Sequence, residues 1–493
     1  MSNLFCLGYT AVAAYVKQFS VISWVDAILV PFFIVTILGI AIFFRNWRYA
    51  NNPVKKYFLP ALALKMLGGL GVGLVYEFYY SGGGDTFGYY KTIKVMEEAF
   101  WESPKDGFNL LTIDFSDTEN YTNYDLLKKY GSKMPFWGQI DTYSVCRVFF
   151  FFGIPTFGSY YALSIFSSVF SFIGVWGLFR VFVSYYPMLI KQMAIAVLFI
   201  PSVVFWGSGV LKDSITLGML GMLVYLIYKV FIKKKLNPFY LILLFVSGYM
   251  IYLIKPYIVI SFIPFAIFWV GLENQSKIPN ALIRFVIGPV LIVSSLIGGY
   301  FALIQLSEGS SRFSVDNVAQ FAAAHRNDML NNQDYYRLNE SGGSRFDIGS
   351  FEATPTGILV KFPIAVFTTF FRPTIFETRS PLIFISAIEN AYLLYLTIII
   401  LYSTGLMGFF RHIIQKPILI FSFFFSIAFA FSVGLATSNF GALVRYKIPC
   451  IPFFVASLFI VNYLENERKR KIKVQNELFR KTMQQTYQKM NTT

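Results

Sequence analysis

Apolar and polar positions in this chain do not alternate at short period; they fall into blocks. A helix needs about 20 predominantly apolar residues to cross the hydrocarbon core of a bilayer. Such runs lie at 22–44, 57–78, 159–183, 188–207, 210–230, 238–255, 257–272, 282–305, 382–409, 417–437 and 443–463. The pattern predicts an all-α polytopic membrane protein with about eleven transmembrane helices. One further apolar piece, 358–371, is short for a span and ends at "FFRP". It predicts a re-entrant or interfacial helix.

The polar gaps between runs set the expected orientation. "RNWRYANNPVKK" (45–56), "KVFIKKKLNP" (229–238), "RHIIQK" (411–416) and "ENERKRKIK" (465–473) are all basic. By the positive-inside rule each belongs in the cytoplasm. All four agree only if 358–371 does not cross, which puts the N-terminus outside and the C-terminus in the cytoplasm. Residues 1–463 then form one transmembrane domain, and 464–493 a basic cytoplasmic tail that reads as a helix lying on anionic lipid. Two long segments, 79–158 and 306–381, become extracytoplasmic loops. The short connections "WGSGVLKDS" (206–214), "LIKPY" (253–257) and "SNFGALVRY" (438–446) fall on that same outer face.

Composition supports the class. Of 493 residues, 56% are hydrophobic and only 14% charged, more apolar surface than a soluble core absorbs. The net charge of +16 is explained by the basic gaps, so no nucleic-acid partner is expected. Three scattered cysteines offer neither a disulfide framework nor metal spacing. The N-terminus lacks a basic region before its first apolar run and reads as a mature start rather than a signal peptide. No cofactor motif is present; "DFSD" (114–117) leaves a divalent metal open. "GGLGVG" (68–73) lies inside an apolar run without a βαβ context, which favours helix packing through small residues over nucleotide binding.

Candidate chemistry gathers on the outer face. In "YYSGGGDTFGYY" (79–90) three glycines precede Asp85, with Tyr89 and Tyr90 one helical turn on. Asp85 reads either as a general base at the membrane surface or as a helix cap. In "WGSGVLKDS", Lys212 and Asp213 open an apolar run. Asp213 suits a helix N-terminus, whereas Lys212 opposes the dipole there unless an anion binds beside it. Lys255, Arg372 with Glu377, and Arg445 with Tyr446 stand at the edges of other runs. Singly, each cation is a snorkelling side chain; together they suit a phosphate or pyrophosphate ligand. The 306–357 loop, with Arg345, has the composition of a saccharide site and equally of any solvated loop. His325 and His412 offer no nucleophilic triad, and His412 falls in a cytoplasmic loop.

These residues resemble the GT-C class of integral-membrane glycosyltransferases. "GGGDTFGYY" is similar to the acidic first outer loop of that class, and "PSVVFWGSGVLKDS" and "RYKIPCIP" are similar to segments of bacterial polysaccharide-assembly members. The resemblance implies transfer or polymerisation of polyprenyl-phosphate- or pyrophosphate-linked sugars for cell-surface polysaccharide or glycoconjugate assembly, in a bacterial inner membrane. It implies Asp85 as the catalytic acid, with Tyr89, Lys212, Asp213, Lys255, Arg345, Arg372, Glu377, Arg445 and Tyr446 binding lipid-linked donor and saccharide acceptor. The chain departs from the class in having no second acid beside Asp85. A transporter or flippase of lipid-linked saccharides, or a structural membrane subunit, stays open as an alternative.

Overall fold

A computed structural model of the chain describes residues 21–80, 84–115, 117, 121–275, 346–349, 357, 360–378 and 380–490, the side chains of the last five excepted. The expected span 282–305, His325, Arg345 and Arg379 lie outside the described residues. Those described form helices and no sheet. Among the described residues six α-helices start on proline: Pro104, Pro201, Pro238, Pro256, Pro381 and Pro417. Proline suits the first helical position, and it holds the residue before it extended. Ser103, Asn237 and Ser380 add side-chain caps at three of these starts.

Among the described residues, seven helices are long and apolar enough to cross a membrane. Four come early: α1 (Asp26–Arg48), α2 (Lys55–Phe78), and, after an intervening helical segment, Tyr160–Tyr185 and Lys212–Ile232. Pro256–Gln275, Pro381–Ile414 and Pro417–Ala436 follow, and Phe440–Tyr446 with the helix after it forms a pair bent by 64° that makes an eighth span if counted as one.

The segment between α2 and the third span is helical rather than a loop. It folds as α3 (Gly84–Glu102), α4 (Pro104–Thr112), α5 (Tyr121–Tyr130) and α6 (Ile140–Gly153). The Tyr143 hydroxyl on α6 donates to the Leu110 carbonyl at 3.0 Å, and Lys129 and Tyr130 on α5 hold Asp106 on α4 at 2.8 and 3.1 Å. Next come α7 (Tyr160–Tyr185), α8 (Ile190–Leu198), α9 (Pro201–Trp206) and α10 (Lys212–Ile227, continuing as a wider turn to Ile232). The chain ends with α11 (Pro238–Ile254), α12 (Pro256–Gln275), α13 (Phe362–Phe371), α14 (Pro381–Ile414), α15 (Pro417–Ala436), α16 (Phe440–Tyr446) and α17 (Ile451–Met490). The ten-residue α13 stands where the short apolar piece was expected.

Two features position the site. First, glycines let helices touch backbone to backbone. A Cβ at Gly174 on α7 would collide with the Gly218 carbonyl on α10, and one at Gly221 with Gly174. Gly68 and Gly69 on α2 bring in the carbonyls of Val204 and Ser164 in the same way, and Gly73 makes room for the rings of Tyr160 and Tyr161. The small-residue reading of "GGLGVG" therefore holds. Second, the expected span 188–207 is broken into α8 and α9, and residues 207–211 leave the helix before α10 begins. Free carbonyls are costly inside a bundle, so side chains must satisfy them. Lys65, 2% exposed on α2, donates to the carbonyls of Val203 (3.1 Å) and Gly207 (2.7 Å) and to the Ser171 hydroxyl (3.2 Å). A cation suits the carbonyl end of a helix. Ser167, Ser168 and Ser214 hydrogen-bond the carbonyls of Gly209 and Ser208.

The other end of the bundle departs from expectation at His412. α17 carries on through Leu464 into the basic tail as one helix of 40 residues in all, about 60 Å at 1.5 Å per residue. His412, expected in a solvated loop, is a buried residue of α14 and lies 2.9 Å from the buried Glu465 carboxylate of α17. Arg468 binds Glu465 with two nitrogens at 2.9 and 2.7 Å.

Candidate functional site

Asp213 is the centre around which the ionisable residues arrange. It opens α10 directly after the non-helical stretch 207–211, where an acidic residue favours the helix N-terminus. Its side chain is fully buried and faces two cations. Lys255 forms a short ion pair with one of its oxygens. Arg445 Nε donates to the other at 2.7 Å. Lys255 sits at the tip of the α11–α12 hairpin because Pro256 stops the helix and keeps Lys255 out of the helical conformation. Its ammonium lies 4.9 Å from the centre of the Tyr446 ring. Arg445 comes from the short α16, on the approach to the bend before α17.

Arg445 is 14% exposed, and its outer edge carries the remaining contacts. Nη1 donates to the Tyr76 hydroxyl of α2 at 3.3 Å and to Asp85 Oδ2 at 3.2 Å. Asp85 stands in the first turn of α3 and is 57% exposed. The turn before it needs a glycine: Gly84 has φ +45°, and a Cβ there would come 2.8 Å from the Tyr76 ring. Tyr89, one turn along α3, is buried against Phe136. Burial, reinforced by the charge of Asp85, pushes its hydroxyl pKa up.

Of the four cations expected on one face, two converge on Asp213 and two do not. Lys212 is next to Asp213 in the chain but turns to α6, where it binds Asp141 at 2.5 Å and the Thr142 hydroxyl at 2.8 Å. Burial opposes ionisation of Asp141, but the Lys212 ammonium together with hydrogen bonds from Thr142 holds the carboxyl below its ordinary range. Arg372 lies elsewhere. It pairs with Glu377 through Nε at 2.9 Å and rests over the rings of Phe346 and Phe440, 5.4 and 5.3 Å from their centres. It reaches the Asp213 group only through α16, which carries both Phe440 and Arg445. Beside it, buried Lys447 donates to the Asn390 side chain, which in turn donates to the Pro373 carbonyl at 3.1 Å.

Asp141, Thr142 and Tyr76 were not singled out in the sequence. Asp141 is one of several acids in a polar segment, and Tyr76 lies inside an apolar run, so no local signal marks either. Among the described residues no group of three or more His, Cys, Asp or Glu side chains is placed to hold a metal, and Asp114 and Asp117 offer their backbone carbonyls to Asn123 at 2.9 and 2.8 Å. A cavity of about 270 Å³ lies instead at the opposite end, between Met188–Gln192 and α17 from Phe459 to Arg470.

No family model, curated protein or solved structure matches this chain. A buried carboxylate fixes a guanidinium and an ammonium, leaving one guanidinium edge toward a half-exposed carboxylate at the ends of the spans. Chemically, such an edge binds an anion through two parallel hydrogen bonds, and the exposed carboxylate accepts a proton.

Proposed function

We propose that the protein is a polytopic glycosyltransferase or polymerase of the GT-C kind, acting on polyprenyl-phosphate- or pyrophosphate-linked sugars. In this reading the Asp213 end of the bundle faces outward, across about eleven spans, from a bacterial inner membrane, and the product is cell-surface polysaccharide or glycoconjugate. The observation that carries the reading is the Asp213–Arg445–Asp85 chain, which places an anion-binding edge beside a candidate base. Asp85 takes the proton of the acceptor hydroxyl as its oxygen attacks the anomeric carbon of the donor. The bond from that carbon to the donor phosphate breaks, and Arg445 stabilises the charge left on the departing phosphate. Lys255 and Asp213 hold Arg445 in place, and Tyr76 and Tyr89 shape the approach.

The test is transfer of sugar from a polyprenyl-linked donor in membranes. Asp85→Asn and Arg445→Gln are expected to abolish turnover at normal protein level; full turnover in either variant would remove the catalytic role.

A transporter of lipid-linked saccharides is the second reading, favoured by the broken α8–α9 segment and by a lysine deep in the bundle. Against it, Lys65 already has three acceptors and is sealed from solvent. Sugar transfer by the purified protein decides between the two.

A further inference from the structure

Two cations near Asp213 share an arrangement of which the proposed chemistry uses only the Arg445 half. Arg445 and Lys212 are each held from the membrane domain: Arg445 by buried Asp213, Lys212 by its place at the start of α10. Each also meets one carboxylate from the α3–α6 unit. Asp85 on α3 lies 3.2 Å from Arg445, and Asp141 on α6 lies 2.5 Å from Lys212. Both carboxylates are more than half exposed, at 57% and 52%, while the cations are only 14% and 19% exposed. The acids are therefore the solvent-facing partners and the cations the enclosed ones. α3 and α6 pack directly on each other: Gly153 on α6 leaves room for Glu97 of α3, where a Cβ would collide.

An exposed carboxylate on an enclosed cation has the charge and geometry of one phosphate oxygen pair. Asp85 at Arg445 also has a second difficulty if it is a base, because a carboxylate turned to the guanidinium is not turned to an acceptor hydroxyl. Displacement removes that difficulty.

We propose that Asp85 and Asp141 form a paired carboxylate latch over a two-cation phosphate site, and that a ligand carrying two phosphate groups displaces both acids from Arg445 and Lys212. The latch rests on the glycosyl-transfer reading for its natural ligand, but it makes a binding prediction independent of turnover. Removing a competing carboxylate tightens anion binding, whereas removing a merely structural ion pair does not.

The experiment measures inorganic pyrophosphate binding to the purified full-length protein in detergent by calorimetry. Asp141→Asn is expected to bind roughly two- to fivefold more tightly than the wild type, the size of one exposed ion pair. Asp141→Glu keeps the charge and wild-type affinity, and Lys212→Gln in the Asp141→Asn background removes the gain. Asp85→Asn is expected to tighten pyrophosphate binding even as it abolishes transfer, which supplies a second arm should Asp141→Asn fail to fold. Unchanged or weaker binding in folded Asp141→Asn and Asp85→Asn overturns the latch. Farnesyl pyrophosphate, titrated in parallel, assigns the natural source: binding at lower concentration than pyrophosphate marks a lipid-linked ligand, equal binding a soluble one. Tighter binding without any transfer by the wild type keeps the latch and sinks the enzyme. Transfer that depends on Asp85, with affinities unmoved, does the reverse.

Discussion

Asp213 and Asp85 both touch Arg445, yet their surroundings give them opposite roles in stability and chemistry. Asp213 is fully buried between two cations. Removing its charge leaves buried Lys255 uncompensated and Arg445 held only by exposed Asp85, and breaking a buried pair in this way costs about 3–5 kcal/mol. Asp213→Asn is therefore expected to lower the thermal midpoint in detergent sharply and to reduce the amount of folded protein; a wild-type midpoint would show that the pair is dispensable. Asp85 contributes an exposed, 3.2 Å contact, the kind of surface pair worth under about 1 kcal/mol. Asp85→Asn is expected to keep the wild-type midpoint and lose transfer. The residue alphabet made both aspartates visible as candidates, but not the difference between them. Asp213 entered as a ligand-binding group, and its place at the centre of a closed ion cluster depends on Arg445, 232 positions away.

At the scale of elements, the apolar runs were legible because each is a local property of about 20 consecutive residues. α2 (Lys55–Phe78), α7 (Tyr160–Tyr185) and α15 (Pro417–Ala436) fall within three residues of the expected bounds. The α8–α9 break and the α3–α6 unit were less legible, since the first depends on Lys65 and a row of serines in other helices, and the second on aromatic packing between weakly apolar helices. Glu97 in α3 gives that unit a measurable signature. It is 8% exposed, and burial pushes its carboxyl up to about 8, the nearby Lys94 charge opposing and Glu98 adding. The unfolded chain ionises Glu97 near its ordinary value of 4.5, so between about pH 4.5 and pH 8 the folded state holds more protons. Stability therefore falls as pH rises through that window and levels off above it. Glu97→Gln is expected to flatten this decline in a midpoint-against-pH series; an unchanged slope would place the titrating group elsewhere. The glycine seam is a second signature. Gly174→Val on α7 drives a branched side chain into the α10 backbone at Gly218, and overpacking of this kind costs about 1–3 kcal/mol or more. A wild-type midpoint for that variant would mean that α7 and α10 separate at no cost.

Over the whole molecule, charge is separated along the helix axes. α2 runs from Lys55 and Lys56 to Tyr76 at the site, and α10 from Asp213 to Lys229 and Lys233, so basic residues collect at the end away from Asp213. The last turn of α14 brings Arg411 and His412 to that same end, where His412 meets Glu465 on α17. That separation is what the basic gaps encode in the sequence, and it makes orientation the property of the molecule that a simple experiment decides. Cys146 and Cys450 are both fully buried and should not react with a bulky maleimide, which leaves only Cys6 to be replaced by serine. Tyr121 is 82% exposed on α5, and residues 466–485 of α17 are exposed with few exceptions. A Tyr121→Cys variant places a thiol on the α3–α6 unit, and Gln475→Cys places one on α17, about 15 Å beyond Glu465 at 1.5 Å per residue. With the positive end in the cytoplasm, a membrane-impermeant maleimide labels position 121 in intact cells and reaches position 475 only after permeabilisation. The opposite pattern would turn the Asp213–Arg445–Asp85 site to the cytoplasm. It would then have no access to a donor presented on the outer leaflet, and the glycosyl-transfer reading would fail even with every contact in the site intact.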